Sequence, residues 1–267
     1  MNDETEILAL LKRWDIQQEG YIKEREERFG IMFEILEAAF GDGFSVIDAA
    51  CGPGSLALRL LDRFPRAKVI AVDIDPVLLE IARVVLAPYG ERASVVEADL
   101  SAPSWSATVM EGFAALGADT PSALVSTTAL HWLSPGALAE LYGATAEILQ
   151  PGGIVLNGDH MRFDDRWPTL RSVAKMVRDR KEAEAVENGA DDWAAWWASV
   201  AELPRFAALK PARDAFFASR APKRKTSGDD CSVDFHVAAL RHAGFSETGT
   251  AWQNFDNYVV FGRRPLE

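Results

Sequence analysis

The chain has 267 residues, 48% hydrophobic and 25% charged, enough to bury a large α/β core without covalent staples. Its net charge of −12 argues against a nucleic-acid partner, which needs a basic stripe; the only short basic run, KRK at 223–225, reads as a solvated loop. Two cysteines, Cys51 and Cys231, and no run of eighteen apolar residues exclude a disulfide framework and a membrane span, so the cytoplasm is the expected compartment.

The start of the chain is acidic and helical in pattern, unlike a secretion signal. Residues 4–18 and 20–40 read as two amphipathic helices, stopped by Asp42 and Gly43. Short β-branched runs then alternate with helical stretches. Strands are expected at 44–50, 67–75, 93–100, 123–128 and 152–159. Helices are expected at 55–64, at 76–89 with Pro76 in an early position, and after a cap at Ser134 followed by Pro135. Repeated βα units imply a parallel sheet covered on both faces. Residues 161–230 hold helical pieces and no convincing strand, too long for an ordinary connection. A helix at 232–245 and two strands, 248–255 and 257–264, close the chain as an antiparallel pair. The expected organisation is a helical arm over 1–42, an α/β domain from 43–160 and 231–267, and an inserted helical lid over 161–230.

Ligands of open parallel sheets bind at the carboxyl ends of the strands, so the turn after the first strand is the expected site. There Gly52 and Gly54 let a ligand approach the backbone. The spacing Gly52-x-Gly54-x-x-Ala57 also fits a dinucleotide fingerprint, and an NAD-type dehydrogenase is one alternative. Against it stand Asp48 inside the turn, the longer Asp-x-x-Cys-Gly-x-Gly arrangement, and the antiparallel close of the chain.

VIDAACGPGS resembles the first motif of class I S-adenosylmethionine-dependent methyltransferases, AVDIDPVLLEIAR their second, EADL their third, and ILQPGGIVLNGD the segment around their fifth strand. Ala50 stands where glycine is usual, a mild departure since alanine is small. The resemblance implies a Rossmann-like, mostly parallel seven-stranded sheet and S-adenosylmethionine as cofactor, with S-adenosylhomocysteine as product. It implies that Asp73 accepts from the ribose hydroxyls and that Ile74 packs on adenine. Asp99 would accept from the adenine amino group beside the Leu100 amide. Asp48 and backbone carbonyls near Thr127 would face the ammonium. No metal is expected. For any one of these aspartates the alternative is a strand-end turn or a helix cap.

Tyr21, Arg25, Arg28 and Met32 share one stripe on a helical wheel. A guanidinium on an apolar face needs a partner. In related small-molecule enzymes an arginine of this arm meets the cofactor carboxylate; Arg28 is the first choice here and Arg25 the second. The alternative is an ion pair with Glu24, Glu26 or Glu27.

STTALHWLS, 126–134, is similar to the substrate-facing segment of several carboxyl methyltransferases. Trp132 would hold an acceptor carboxylate through its indole N–H, or else belong to the core. A carboxylate acceptor needs positioning and no base; a phenol, hydroxyl or amine needs one, from His131 or His160. Trp193, Trp196 and Trp197 form one aromatic face, read first as packing of the lid and second as pocket wall. The expected function is methyl transfer to a small organic acceptor, with a carboxylate preferred and a hydroxyl or amine as alternative. A catalytically silent cofactor-binding protein is the remaining rival. Nucleic-acid and membrane partners are not expected; a homodimer is compatible with the reading.

Overall fold

The computed structural model describes residues 3–22, 24–118, 120–220 and 231–267. The basic run at 223–225 therefore lies outside the described residues. Two helices lead, α1 (Asp3–Tyr21) and α2 (Arg25–Phe40). Alternation follows: β1 (Ser45–Ala49), α3 (Ser55–Arg63), β2 (Lys68–Asp73), α4 (Pro76–Leu86), β3 (Ala93–Glu97), α5 (Trp105–Ala115), β4 (Ala123–Thr127), α6 (Pro135–Ile148) and β5 (Ile154–His160). Then come α7 (Pro168–Glu187), α8 (Trp193–Glu202), α9 (Leu209–Arg220), α10 (Val233–His242), β6 (Glu247–Asn254) and β7 (Asn257–Arg263).

The seven strands form one sheet in the order β3-β2-β1-β4-β5-β7-β6. β7 runs antiparallel to β5 and β6, and the other pairings are parallel. The order reverses at β1 and β4, which places a ligand crevice above their carboxyl ends. Val46, Val69, Ala71, Val125 and Leu156 face one apolar layer with α1 to α4 and α8. Ile47, Ile70, Val72, Leu124 and Val155 face the other, with α5, α6 and α10. This alternation along each strand puts helices on both faces, as the βα repeat implies.

Local signals act where the sequence places them. Ser134 accepts from the Ala137 amide at 3.2 Å and Pro135 opens α6. Asp75 caps α4 through the amides of Val77 and Leu78. Among the described residues no helix is long and apolar enough to cross a membrane.

The expected helix at 20–40 is instead broken. Tyr21 ends α1, and Glu24 turns the chain with φ +56° before α2 begins. Gly20 is not the breaker. It lies inside α1, where an added Cβ would sit 2.6 Å from the Ala185 Cβ, so glycine there lets α7 pass close. α5 lies in a stretch to which no element was assigned.

α7 and α8 rest on α1, and α9 on α4. Trp196 is fully buried and donates to the Leu10 carbonyl at 3.0 Å, with Trp14 edge-on at 4.8 Å. Trp196 therefore cements α8 to the arm, Trp197 packs against Trp196 and beneath Arg213 of α9, and Trp193 stays half exposed.

Candidate active site

The turn after β1 needs three left-handed residues: Ala50 (φ +56°), Gly52 (+57°) and Gly54 (+89°). Gly52 and Gly54 adopt this freely, but Ala50 is strained there, so its departure from glycine is not mild. An added Cβ on Gly52 would meet only Trp14, at 3.9 Å, which leaves the backbone open on that side.

Asp48, from β1, is fully buried. One oxygen accepts from the Ala57 amide at 3.0 Å and the other has no partner. Burial pushes its carboxyl up to about 7, against the pull of the Ala57 amide and with help from nearby Asp73. A buried carboxylate oxygen with nothing to accept from fits an incoming ammonium. Asp73, at the end of β2, takes amides from Gly52 at 2.8 Å, Ile74 at 2.7 Å and Asp75 at 2.9 Å. A carboxylate has about four acceptor positions, so one remains for a hydroxyl. Asp99 follows β3; Oδ1 accepts from the Ser101 amide and hydroxyl, and Oδ2 from Arg220 on α9. Ile74 is partly exposed and Leu100 is buried.

The arm's two arginines separate in role. Arg25 pairs with Asp15 of α1 at 3.0 Å and stacks on Phe29. Arg28 is fully buried and donates to neutral groups: Asn257 Oδ1 at 2.9 Å, the Thr127 hydroxyl, and the Thr128 hydroxyl at 2.6 Å. Its Nε has no hydrogen-bond partner. Burial, opposed by Asp159 and aided by Arg25, lowers its guanidinium to about 9. Space for it comes from Gly158, where a Cβ would lie 2.9 Å from the Arg28 Cδ and Nε. Thr127 thus meets Arg28 through its hydroxyl, a contact the expected backbone role did not include.

Asp159, at the end of β5, reaches across to the segment after β4. Its Oδ1 lies 2.8 Å from the His131 Nδ1, and its Oδ2 accepts the His131 amide at 3.0 Å. Burial alone would raise this carboxyl, but His131, with His160 and Arg28, holds it at about 2. Trp132 is 73% exposed, its ring 5.1 Å from that of His131, so it is not core. His160 points elsewhere, into a cavity of about 20 Å³ shared with Tyr21, Arg178, Asp256 and Asn257. Burial and Arg28 lower its imidazole to about 4. Tyr21 stands on α1 and Arg28 on α2, and Asn257 both lines the cavity with Tyr21 and accepts from Arg28.

Asp159, Thr128, Asn257 and Gly158 were not anticipated from sequence. The signal for Asp159 was available, since it ends a strand as Asp73 does. Among the described residues no group of three or more His, Cys, Asp or Glu side chains is arranged to hold a metal.

The partnerless buried oxygen of Asp48, the open glycine backbone and Arg28, hydrogen-bonded to neutral groups, together fit a ligand carrying both ammonium and carboxylate. The family described as a methyltransferase domain matches residues 46–153. No curated protein sequence matches the chain. Among solved structures it is similar to an O-methyltransferase family protein from Burkholderia thailandensis, at 18% identity and a TM-score of 0.54, over 88% of this chain and 55% of that one. A putative O-methyltransferase from Nostoc punctiforme gives 14% and 0.52, over 88% of this chain and 55% of that one. A putative S-adenosyl-L-methionine-dependent methyltransferase from Methanococcus maripaludis gives 15% and 0.53, over 98% of this chain and 94% of that one. The chain thus spans about half the length of the first two. At these identities the likeness is one of fold. Residues 46–153 match the model of a methyltransferase domain, and the chain shares its fold with solved S-adenosylmethionine-dependent methyltransferases.

Proposed function

We propose that the protein is an S-adenosylmethionine-dependent O-methyltransferase whose acceptor is a small molecule bearing a hydroxyl or phenol, with His131 as its base. The observation that carries this reading is the two-point hold of Asp159 on His131.

The cofactor supplies a methyl group on a cationic sulfur. Four groups of the chain hold it. Asp73 accepts from the ribose, Asp99 from the adenine amine, Asp48 from the ammonium, and Arg28 donates to the carboxylate. Ile74 and Leu100 flank the base, and Gly52 and Gly54 admit the backbone approach. Asp159 is ionised at neutral pH and only accepts, so the His131 Nδ1 must be its donor. That leaves Nε2 bare, ready to accept the proton of an acceptor hydroxyl, and Asp159 then stabilises the imidazolium. An imidazole lowered to about 4 is a weak base, and His160 lines the small cavity beside Tyr21, which favours His131 for the base role. The O-methyltransferase neighbours support oxygen as the methylated atom.

Trp132 favours a second reading. Its exposed indole beside His131 offers a donor to an acceptor carboxylate, which needs no base. The two readings part in a pH–rate profile measured on a panel of phenols and carboxylic acids with labelled S-adenosylmethionine. Base catalysis gives an ascending limb that disappears in His131→Gln. Turnover confined to carboxylic acids, with a flat profile, overturns the hydroxyl reading.

A further inference from the structure

Asp99 is the carboxylate assigned to the adenine amine, and its outer oxygen is already taken. Ser101 supplies both donors to Oδ1 from within the same turn, at 2.9 and 2.6 Å. Oδ2 accepts instead from Arg220 Nη2, which lies 121 residues further along the chain, at the last position of α9. The adjoining strand end repeats the arrangement: Arg213, also on α9, donates to Asp75 while its guanidinium lies 3.7 Å over Trp197. No side chain of α9 is buried. Leu209 packs at its start against the core, and along the rest of the helix Arg213 and Arg220 tie it to the aspartates that follow β2 and β3.

We propose that Arg220 is an internal substitute for the adenine amine: it occupies the Asp99 acceptor until an adenosyl ligand displaces it, so cofactor binding is an exchange of donors on one carboxylate. The proposal rests on the adenosyl reading of this site and adds a residue that opposes binding. Ser101 fills both positions of Oδ1, so an incoming amine must approach Oδ2, where Arg220 already donates. An amine of the ligand and the guanidinium of Arg220 are both donors with no acceptor function, so on that one oxygen they crowd and repel each other. The pair is partly exposed, with 47% of the Arg220 and 23% of the Asp99 side chain accessible, so the competition is mild and screened by salt.

The test is calorimetric titration of S-adenosylhomocysteine, which reads binding without turnover. Arg220→Ala is expected to tighten binding about two- to fivefold, the span an exposed ion pair allows. Arg220→Lys, which keeps the charge, should stay near wild type. Raising salt should tighten binding to the wild type more than to Arg220→Ala. Weaker binding in Arg220→Ala would mean that Arg220 touches the ligand, and equal affinity would mean that the pair is inert; either result overturns the proposal. A folded wild-type protein that binds no S-adenosylhomocysteine would instead overturn the adenosyl reading beneath it. Arg171→Ala, which removes an exposed arginine paired with Asp165, serves as the control and should change nothing.

Discussion

Asp159 grips His131 twice, by the ring at 2.8 Å and by the backbone amide at 3.0 Å. One contact sets the orientation of the ring and the other fixes the segment that carries it. In Asp159→Asn the amide nitrogen can donate to Nδ1 and reverse the tautomer. That change should lower kcat by about 100- to 10,000-fold, the range for a misassigned general base. S-adenosylhomocysteine affinity should stay within about twofold. Steady-state kinetics paired with calorimetry checks both. A parallel loss of binding would show that Asp159 is a structural support and not a positioning residue.

Asp48 gives a proton-linkage prediction. Its folded pKa, about 7, lies above the ordinary aspartate value, so near neutrality the carboxyl is about half protonated. An ammonium placed on its free oxygen favours the ionised form. Binding of S-adenosylhomocysteine at pH 7 should therefore release about half a proton, and affinity should rise between pH 6 and 8. Calorimetry in two buffers of different ionisation enthalpy measures the release. Without ligand the sign for stability is opposite: a raised carboxyl costs stability as pH climbs from about 4 through 7.

Gly158 and Arg28 form a steric pair. A methyl group at 158 would lie 2.9 Å from two atoms of the Arg28 side chain. Gly158→Ala should cost about 1–3 kcal/mol, as overpacking does. It should also weaken cofactor binding by moving the guanidinium. In an Arg28→Ala background the same change should cost less than half as much, because the obstructed atoms are gone. Chemical denaturation of the four proteins completes the cycle, and additive penalties would refute the contact.

Ala50 offers a stabilising change. A left-handed alanine costs about 1–2 kcal/mol, and the greater freedom of glycine in the unfolded chain returns about 0.5–1 kcal/mol of that. Ala50→Gly should gain up to about 1 kcal/mol and raise the melting temperature by a few degrees, with cofactor affinity preserved. A destabilised variant would mean that the methyl group of Ala50 makes packing contacts worth more than its strain.

The parallel core was legible because its signals are local. Apolar runs end in Asp or Gly, and Ser134-Pro135 starts a helix by chemistry confined to four residues. The arm was less legible. Tyr21, Arg25 and Arg28 share a wheel only if the helix continues, and Glu24 stops it without any glycine or proline. Nothing at Glu24 itself announces the turn. The choice between Arg25 and Arg28 was likewise beyond spacing. Both are buried, but only the fold brings Asp15 to Arg25 and leaves Arg28 with hydroxyls and an amide. Asp159 required a partner 28 residues earlier, delivered by the β4–β5 pairing. The conformation of Ala50 was hidden because the side chain that fits a motif by size need not fit it by φ.

His131 and Asp159 sit on opposite sides of a seam whose last rungs are Thr127 facing Gly158 and the Thr128 amide on the Gly158 carbonyl at 2.8 Å. Fraying of those rungs would part the dyad while every hydrophobic layer stayed intact. Heat should therefore part the dyad before it melts the protein, and recovery on cooling should be as fast as two neighbouring strands can zip.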